Sequence, residues 1–296
     1  MDWLDYFTPV NFSTTELEDD REGHGSCRLL RDDCHDEQVN QAKWAWSVAK
    51  DGNKEHLSEF GRTFQVDLDR ERFFVVHEPN GSKPMPLLVF YHGLDSSAWY
   101  CALVRTGWRQ LSAKYNFLVA FGQGQGTFYD HGPQRNKFGH LSFGDLYWQI
   151  EQPNEDFHYL DALLNYMNTK YSHVLDRDRI YFMGYSNGAL FSSNVAIHYG
   201  SQIFAALCNH CGGYGGQYKE EKMLQPRDMT SPLPIYILTG VDDDYKESCL
   251  RAKELFERAH CPVTIEILDN RRHSYYKDKE EFLWTQFFLT HRRSIK

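Results

Sequence analysis

The sequence predicts a doubly wound α/β fold, in which one mostly parallel sheet follows an antiparallel N-terminal hairpin. Three observations predict it. Short continuous apolar runs, among them PLLVFY at 86–91, FLVAF at 117–121 and IYFM at 180–183, read as strands buried on both faces. Between such runs lie stretches with apolar residues at helical spacing, so strand and helix alternate from residue 86 to the end. Upstream, TFQVDL at 63–68 alternates apolar and polar and FFVVH at 73–77 follows a polar break, which is a hairpin signal.

In chain order, residues 1–60 are polar and acidic, with one helical patch near Val39–Ala49 that puts Val39, Ala42, Trp46 and Ala49 on one face. So short and polar a segment has no core of its own, so it is expected to be an arm or cap, with the domain occupying residues 61–296. The strand at 86–91 is followed by a helical stretch around Ala102–Ala113. After the strand at 117–121 comes a Gly- and aromatic-rich loop from Gly122 to about Pro153, and loops of that length are usually functional. Its Gly122–Gly126 run lacks the spacing and the Lys-Ser/Thr of a nucleotide loop. Phe157, Leu160, Leu164 and Met167 mark an amphipathic helix over 155–171. Strands are expected at 203–207, 233–238 and 262–268, and helices at 246–259 and 279–290.

With 32 Lys and Arg against 41 Asp and Glu, the net charge of −9 argues against a general binder of nucleic acid or anionic membrane. No apolar stretch approaches the roughly 20 residues that span a bilayer. The first 20 residues lack the basic start and apolar core of a signal peptide, so a cytoplasmic location is expected, or secretion if a leader has been removed. Seven cysteines at irregular spacing read as free thiols, although Cys27 and Cys34 would bridge in an oxidising compartment. Cys208-Asn-His-Cys211 has no second metal-ligand pair and reads as structural, and no metal or cofactor is expected.

The chemistry centres on Gly184-Tyr185-Ser186-Asn187-Gly188. This G-x-S-x-G follows an apolar strand and opens a helix with apolar Ala189, Leu190, Phe191, Val195 and Ala196, the setting in which a strained turn exposes a serine. A serine hydroxyl is a poor nucleophile until an imidazole takes its proton and an acid orients that imidazole. In such a sheet the partners come later in the chain, acid before base. The strand at 233–238 leads to Asp242-Asp243-Asp244, of which Asp243 is favoured and Asp242 is the alternative. His273 stands on the loop between the last expected strand and the last helix. Backbone N–H groups of Leu94, in the turn after 86–91, and of Asn187 are candidate donors to an oxyanion. Trp99, Tyr100, Phe128, Tyr129, Trp148, Tyr275 and Tyr276 lie on loops at the same expected edge and are candidates for an aromatic substrate pocket.

PLLVFYHGLDSSA, NEDFHYLDALLNYM, LDRDRIYFMGYSNGALFS, TGVDDD and RHSYY resemble, in order, the landmarks of the poly(3-hydroxybutyrate) depolymerase and feruloyl esterase-like branch of the α/β-hydrolase superfamily. The resemblance covers about residues 63–290 and implies an α/β-hydrolase fold and ester hydrolysis with Ser186 as nucleophile, Asp243 as acid and His273 as base. Arg272-His273-Ser274-Tyr275 replaces the Gly-His-x-Trp common in that branch, residues 122–153 lack its Trp-Asn arrangement, and residues 1–60 have no counterpart there. The expected function is therefore serine hydrolysis of a small soluble carboxylic ester. The same triad also serves an amidase, peptidase or acyltransferase, and the scaffold also serves a non-catalytic receptor or carrier of a small ligand.

Overall fold

The computed structural model describes residues 32–51, 54–68, 72–81, 84–135, 141–152, 154–216, 218–219 and 222–293. Cys27 and the side chain of Cys34, and with them the expected bridge, lie outside the described residues. Residues 38–296 form one compact unit, so this unit begins at Gln38 rather than at residue 61. The reason is visible in helix α1 (Asp32–Asp51), whose Ala42, Ala45 and Val48 are buried in the core. The following strand β1 (Glu55–Ser58) pairs with the sheet.

The hairpin forms as expected from β2 (Gly61–Asp67) and β3 (Phe73–Glu78). Strand β4 (Met85–Tyr91) leads into a helical turn, α2 (Ala98–Tyr100), that continues as a π turn through Arg105. Ser97 caps this turn by accepting the Tyr100 N–H at 3.1 Å. Helix α3 (Trp108–Tyr115) then ends at Asn116, which adopts the left-handed conformation that Asn tolerates. Strand β5 (Leu118–Gly122) follows. The long loop after β5 is organised by two small ribbons, β6 (Gln125–Phe128) with β9 (Gly144–Tyr147) and β7 (Gln134–Arg135) with β8 (Leu141–Ser142).

Helix α4 (Asp156–Lys170), strand β10 (Leu175–Tyr185) and helix α5 (Asn187–Tyr199) come next. Strand β11 covers Ala206–His210, three residues later than 203–207. Gly200–Gln202 form a 3₁₀ turn in which Gly200 O accepts the N–H groups of Ile203 and Phe204, so these two apolar residues precede the strand. The chain closes with β12 (Ile235–Asp242), α6 (Lys246–Arg258), β13 (Val263–Arg272) and a series of short helical turns, including α7 (Glu280–Phe282), up to Thr290.

Nine strands form one sheet in the order β1-β2-β3-β5-β4-β10-β11-β12-β13. The pairs from β1 to β5 are antiparallel and all the others are parallel. Alternate residues of β4 enter two cores: Leu87, Val89 and Tyr91 join α4, α5 and α6 on one face, while Leu88 and Phe90 join α1, α2, α3 and the C-terminal turns on the other. That two-sided burial is why β4 carries no polar residue. On the second face Trp284 stacks on Phe117 at 3.6 Å, and removing so large a buried ring costs about 3–5 kcal/mol.

Candidate active site

Ser186 stands between β10 and α5 with φ 54° and ψ −117°, a conformation that a residue with a side chain keeps only when its surroundings impose it. They do so here by close approach. A Cβ on Gly188 would lie 2.5 Å from the Tyr91 carbonyl oxygen, and one on Gly184 would collide with the Gly188 backbone. The Ser186 N–H donates to the His210 carbonyl at 2.9 Å, and the Ser186 carbonyl accepts from Ala189 and Leu190 as α5 begins.

Three side chains from separate parts of the sequence meet at this turn. Ser186 Oγ is 2.8 Å from His273 Nε2, and His273 Nδ1 is 2.9 Å from Asp243 Oδ1. A carboxylate only accepts, so Nδ1 carries the proton and Nε2 is left to accept from the serine. The Asp243 side chain is fully buried, and Oδ1 also accepts the Tyr245 N–H at 2.8 Å while Oδ2 accepts from Thr239 Oγ1 at 3.2 Å. Burial pushes this carboxyl up, but the hydrogen bonds from His273, Cys211 and Tyr245 outweigh it and hold the group below its ordinary value. Asp242 and Asp244 are exposed, so of the three acidic neighbours only Asp243 turns inward. The imidazole of His273 packs between the rings of Tyr185 (5.7 Å) and Tyr245 (5.1 Å).

Leu94 lies on the turn after β4, half-exposed, and this turn is pressed against the serine: a Cβ on Gly93 would be 3.1 Å from Ser186 Cβ. Asn187 is the first residue of α5, where a helix N–H has no carbonyl one turn back to bond. His92 braces the turn. Its Nε2 accepts the Gly124 N–H at 2.9 Å, leaving Nδ1 to donate to Gly93 O at 2.7 Å. Burial pushes His92 down to about 4, so the brace is a neutral imidazole. The β6–β9 ribbon holds the other side, with the Asp95 N–H donating to Leu146 O and the Phe143 N–H to Asp95 O, both at 2.7 Å. Beneath the ribbon, buried Asp156 accepts from Arg72 (2.7 Å), Gln125 Nε2 (3.0 Å) and the Gln149 N–H (2.6 Å).

The aromatic residues expected to line a pocket are placed differently. Trp99 and Trp148 are both completely enclosed: Trp99 in the core, with its indole N–H on Gln65, and Trp148 stacked on Tyr91 at 3.7 Å. Each ring stands on a segment that folds back against the sheet, so neither presents a surface to substrate. Tyr129 is half-buried, its hydroxyl accepting from Ser142 Oγ at 3.3 Å and its backbone carbonyl accepting the Trp46 indole N–H at 3.0 Å. Tyr275 packs against Tyr185 and spends its hydroxyl on Glu280 (2.6 Å) while accepting from Trp108 Nε1 (2.8 Å), so it props the loop that carries His273. Tyr276 and Tyr100 are buried as well, and Phe128 stacks on Phe73. Tyr185 and Tyr245 flank the imidazole instead, and Tyr185 was visible as the residue before the serine.

Cys208 and Cys211 are buried free thiols. Among the described residues, ligand atoms of Cys211, Asp243 and His273 lie within 4.8 Å of one another. The imidazole and the carboxylate are already engaged with each other and with Ser186, and Cys211 Sγ is 3.6 Å from Ser274 O, so the cluster is the back of the same hydrogen-bonded line.

No family model matches the chain. An uncharacterized hydrolase of Acanthamoeba polyphaga mimivirus is 34% identical over 312 residues, covering 97% of each chain. The bifunctional acetylxylan esterase/xylanase of Neocallimastix patriciarum is 25% identical over 241 residues, covering 78% of this chain and 31% of that protein. Among solved structures, an S-formylglutathione hydrolase from Agrobacterium tumefaciens aligns with a TM-score of 0.57 at 16% identity, over 78% of this chain and 97% of that one, a likeness of fold.

Proposed function

We propose a serine hydrolase of small carboxylic esters, starting from the premise that the chain belongs to the α/β-hydrolase superfamily, in one family with the mimivirus hydrolase. The observation that carries this reading is the unbroken line from Ser186 Oγ through the His273 ring to Asp243, at 2.8 and 2.9 Å, with the serine on a strained turn. The acetylxylan esterase named in the Neocallimastix patriciarum relative supports the ester as substrate.

In this reading His273 Nε2 takes the Ser186 proton as Oγ attacks the ester carbonyl carbon. The Leu94 and Asn187 N–H groups receive the oxyanion, a contribution of about 3–4 kcal/mol for one well-placed donor. His273 then gives its proton to the departing alcohol, leaving an acyl group on Ser186. Water enters and attacks the acyl carbon as it loses a proton to His273, and His273 returns that proton to Ser186 Oγ as the acid leaves. Asp243 stays ionised throughout and stabilises the imidazolium, which its depressed pKa favours.

A fluorophosphonate probe tests the nucleophile. The folded protein is expected to be labelled at Ser186 and Ser186→Ala to remain unlabelled. An unlabelled folded wild type would refute the reading, and labelling that survives the substitution would move the nucleophile elsewhere. Turnover of 4-nitrophenyl acetate against the butyrate measures the acyl room.

A further inference from the structure

Arg105 is a cation beside the serine turn with no anion of its own. Its guanidinium carbon lies 4.8 Å from the centre of the Tyr185 ring. That ring also carries His273 at 5.7 Å and Tyr275 at 5.4 Å, and it is the ring that a Cβ on Gly93 would strike at 3.1 Å together with Ser186 Cβ. Two ring contacts therefore separate the guanidinium from the imidazole.

Several other arginines pair with carboxylates, Arg62 with Glu78, Arg72 with Asp156, Arg179 with Asp176, Arg271 with Asp278 and Arg292 with Asp178, and buried Arg109 bonds His56 and Ser58. Arg105 has neither an ion pair nor a hydrogen bond among the described residues, in a chain of net charge −9. The groups that feel its charge are Tyr185, Cys101, Tyr100, Tyr275, His92 and His210. All six are neutral near pH 7: burial pushes Cys101 up to about 11 and Tyr185 to about 12, raises Tyr100 and Tyr275, and lowers His92 to about 4 and His210 to about 3. Arg105 is half-buried, and its unbonded nitrogens are not among the polar atoms shut away from solvent. A half-buried cation with neutral neighbours and accessible nitrogens is free to receive an anion, and its planar fork matches a carboxylate through two parallel hydrogen bonds.

We propose that the ester this site accepts carries a carboxylate, and that Arg105 receives that carboxylate beside Ser186. The proposal rests on the serine-hydrolase reading above. Guanidinium and imidazole both contact the Tyr185 ring, at 4.8 and 5.7 Å, which suits an acid group a few bonds from the scissile carbonyl, as in the monoester of a short dicarboxylic acid.

The test compares hydrolysis of 4-nitrophenyl acetate with that of mono-4-nitrophenyl succinate and glutarate by the wild type, Arg105→Met and Arg105→Lys. The ratio of kcat/KM for the anionic over the neutral ester is expected to fall about tenfold to a hundredfold in Arg105→Met, chiefly through KM, and to recover in part in Arg105→Lys. Free glutarate is expected to raise the melting temperature of the wild type and not of Arg105→Met, a readout independent of turnover. An unchanged ratio in Arg105→Met, or an equal response of both proteins to glutarate, overturns the proposal and leaves the hydrolase reading intact. If no ester is turned over and the wild type takes no fluorophosphonate label, the hydrolase reading itself fails and the anionic ester with it.

Discussion

Asn187 holds the backbone of Trp148 at both ends: Oδ1 accepts the Trp148 N–H at 2.7 Å and Nδ2 donates to the Trp148 carbonyl at 3.3 Å. The residue next to Ser186 thus ties α5 to the segment that follows the β6–β9 ribbon. Asn187→Ala leaves the enclosed Trp148 N–H without its acceptor and is expected to destabilise the fold by about 1–3 kcal/mol. Asn187→Asp keeps the acceptor and is expected to lose less. Urea unfolding of the two variants checks the order, which equal losses would contradict.

Asp243→Asn removes the acceptor that fixes the His273 tautomer and is expected to lower kcat on 4-nitrophenyl acetate by about 10³–10⁴. Exposed Asp242, one residue earlier, makes no hydrogen bond to the imidazole, and Asp242→Asn is expected to stay within a fewfold of the wild type. Comparable losses in the two variants would contradict the assignment.

Three enclosed imidazoles give the fold an acid limit. Burial lowers His77 to about 3, His92 to about 4 and His210 to about 3. In the unfolded chain each takes a proton near pH 6.5, so below that pH the unfolded state binds more protons and stability falls as pH falls. By pH 5 each imidazole accounts for a loss of about 2 kcal/mol. Urea midpoints at pH 7 and pH 5 measure these losses, together with that of half-buried His56 and net of the opposite contribution of Glu280. His77→Gln is expected to start lower at pH 7 and to fall by about 2 kcal/mol less than the wild type.

Glu280 acts with the opposite sign. Burial pushes it up to about 8 against the hydrogen bonds from Tyr275 and the Gly107 N–H and the pull of Lys277. Between its ordinary value of 4.5 and about 8 the folded state holds the proton more tightly than the unfolded state, so this group reduces stability as pH rises. Glu280→Gln is expected to gain about 2 kcal/mol on the wild type between pH 6 and pH 8. Parallel urea curves with pH would contradict it.

The strands β4, β5 and β10 were legible because burial on both faces leaves continuous apolar runs, and Ser186 because glycines stand two residues to either side. Asp243 and His273 were legible from chain order after expected strands. The brace at His92 and the cation at Arg105 were not, since each depends on contacts between distant segments. Nor was the start of the compact unit: Ala42, Ala45 and Val48 are small, and their burial shows only once the sheet lies beneath them. Trp99 and Trp148 looked like pocket walls because they stand outside strands, yet the surrounding segments fold into ribbon and turn and enclose them.

The backbone of residue 186 is shaped entirely by its neighbours, through the His210 carbonyl, the crossing at Gly184 and Gly188, and the start of α5. Position 186 is therefore a socket rather than a property of serine. Glycine suits its positive φ best, so Ser186→Gly is expected to be more stable than Ser186→Ala by about 1 kcal/mol in urea. A cysteine placed there would meet His273 at the same spot. The group offered to His273 can therefore be exchanged at position 186 by one substitution, and the sheet need not change.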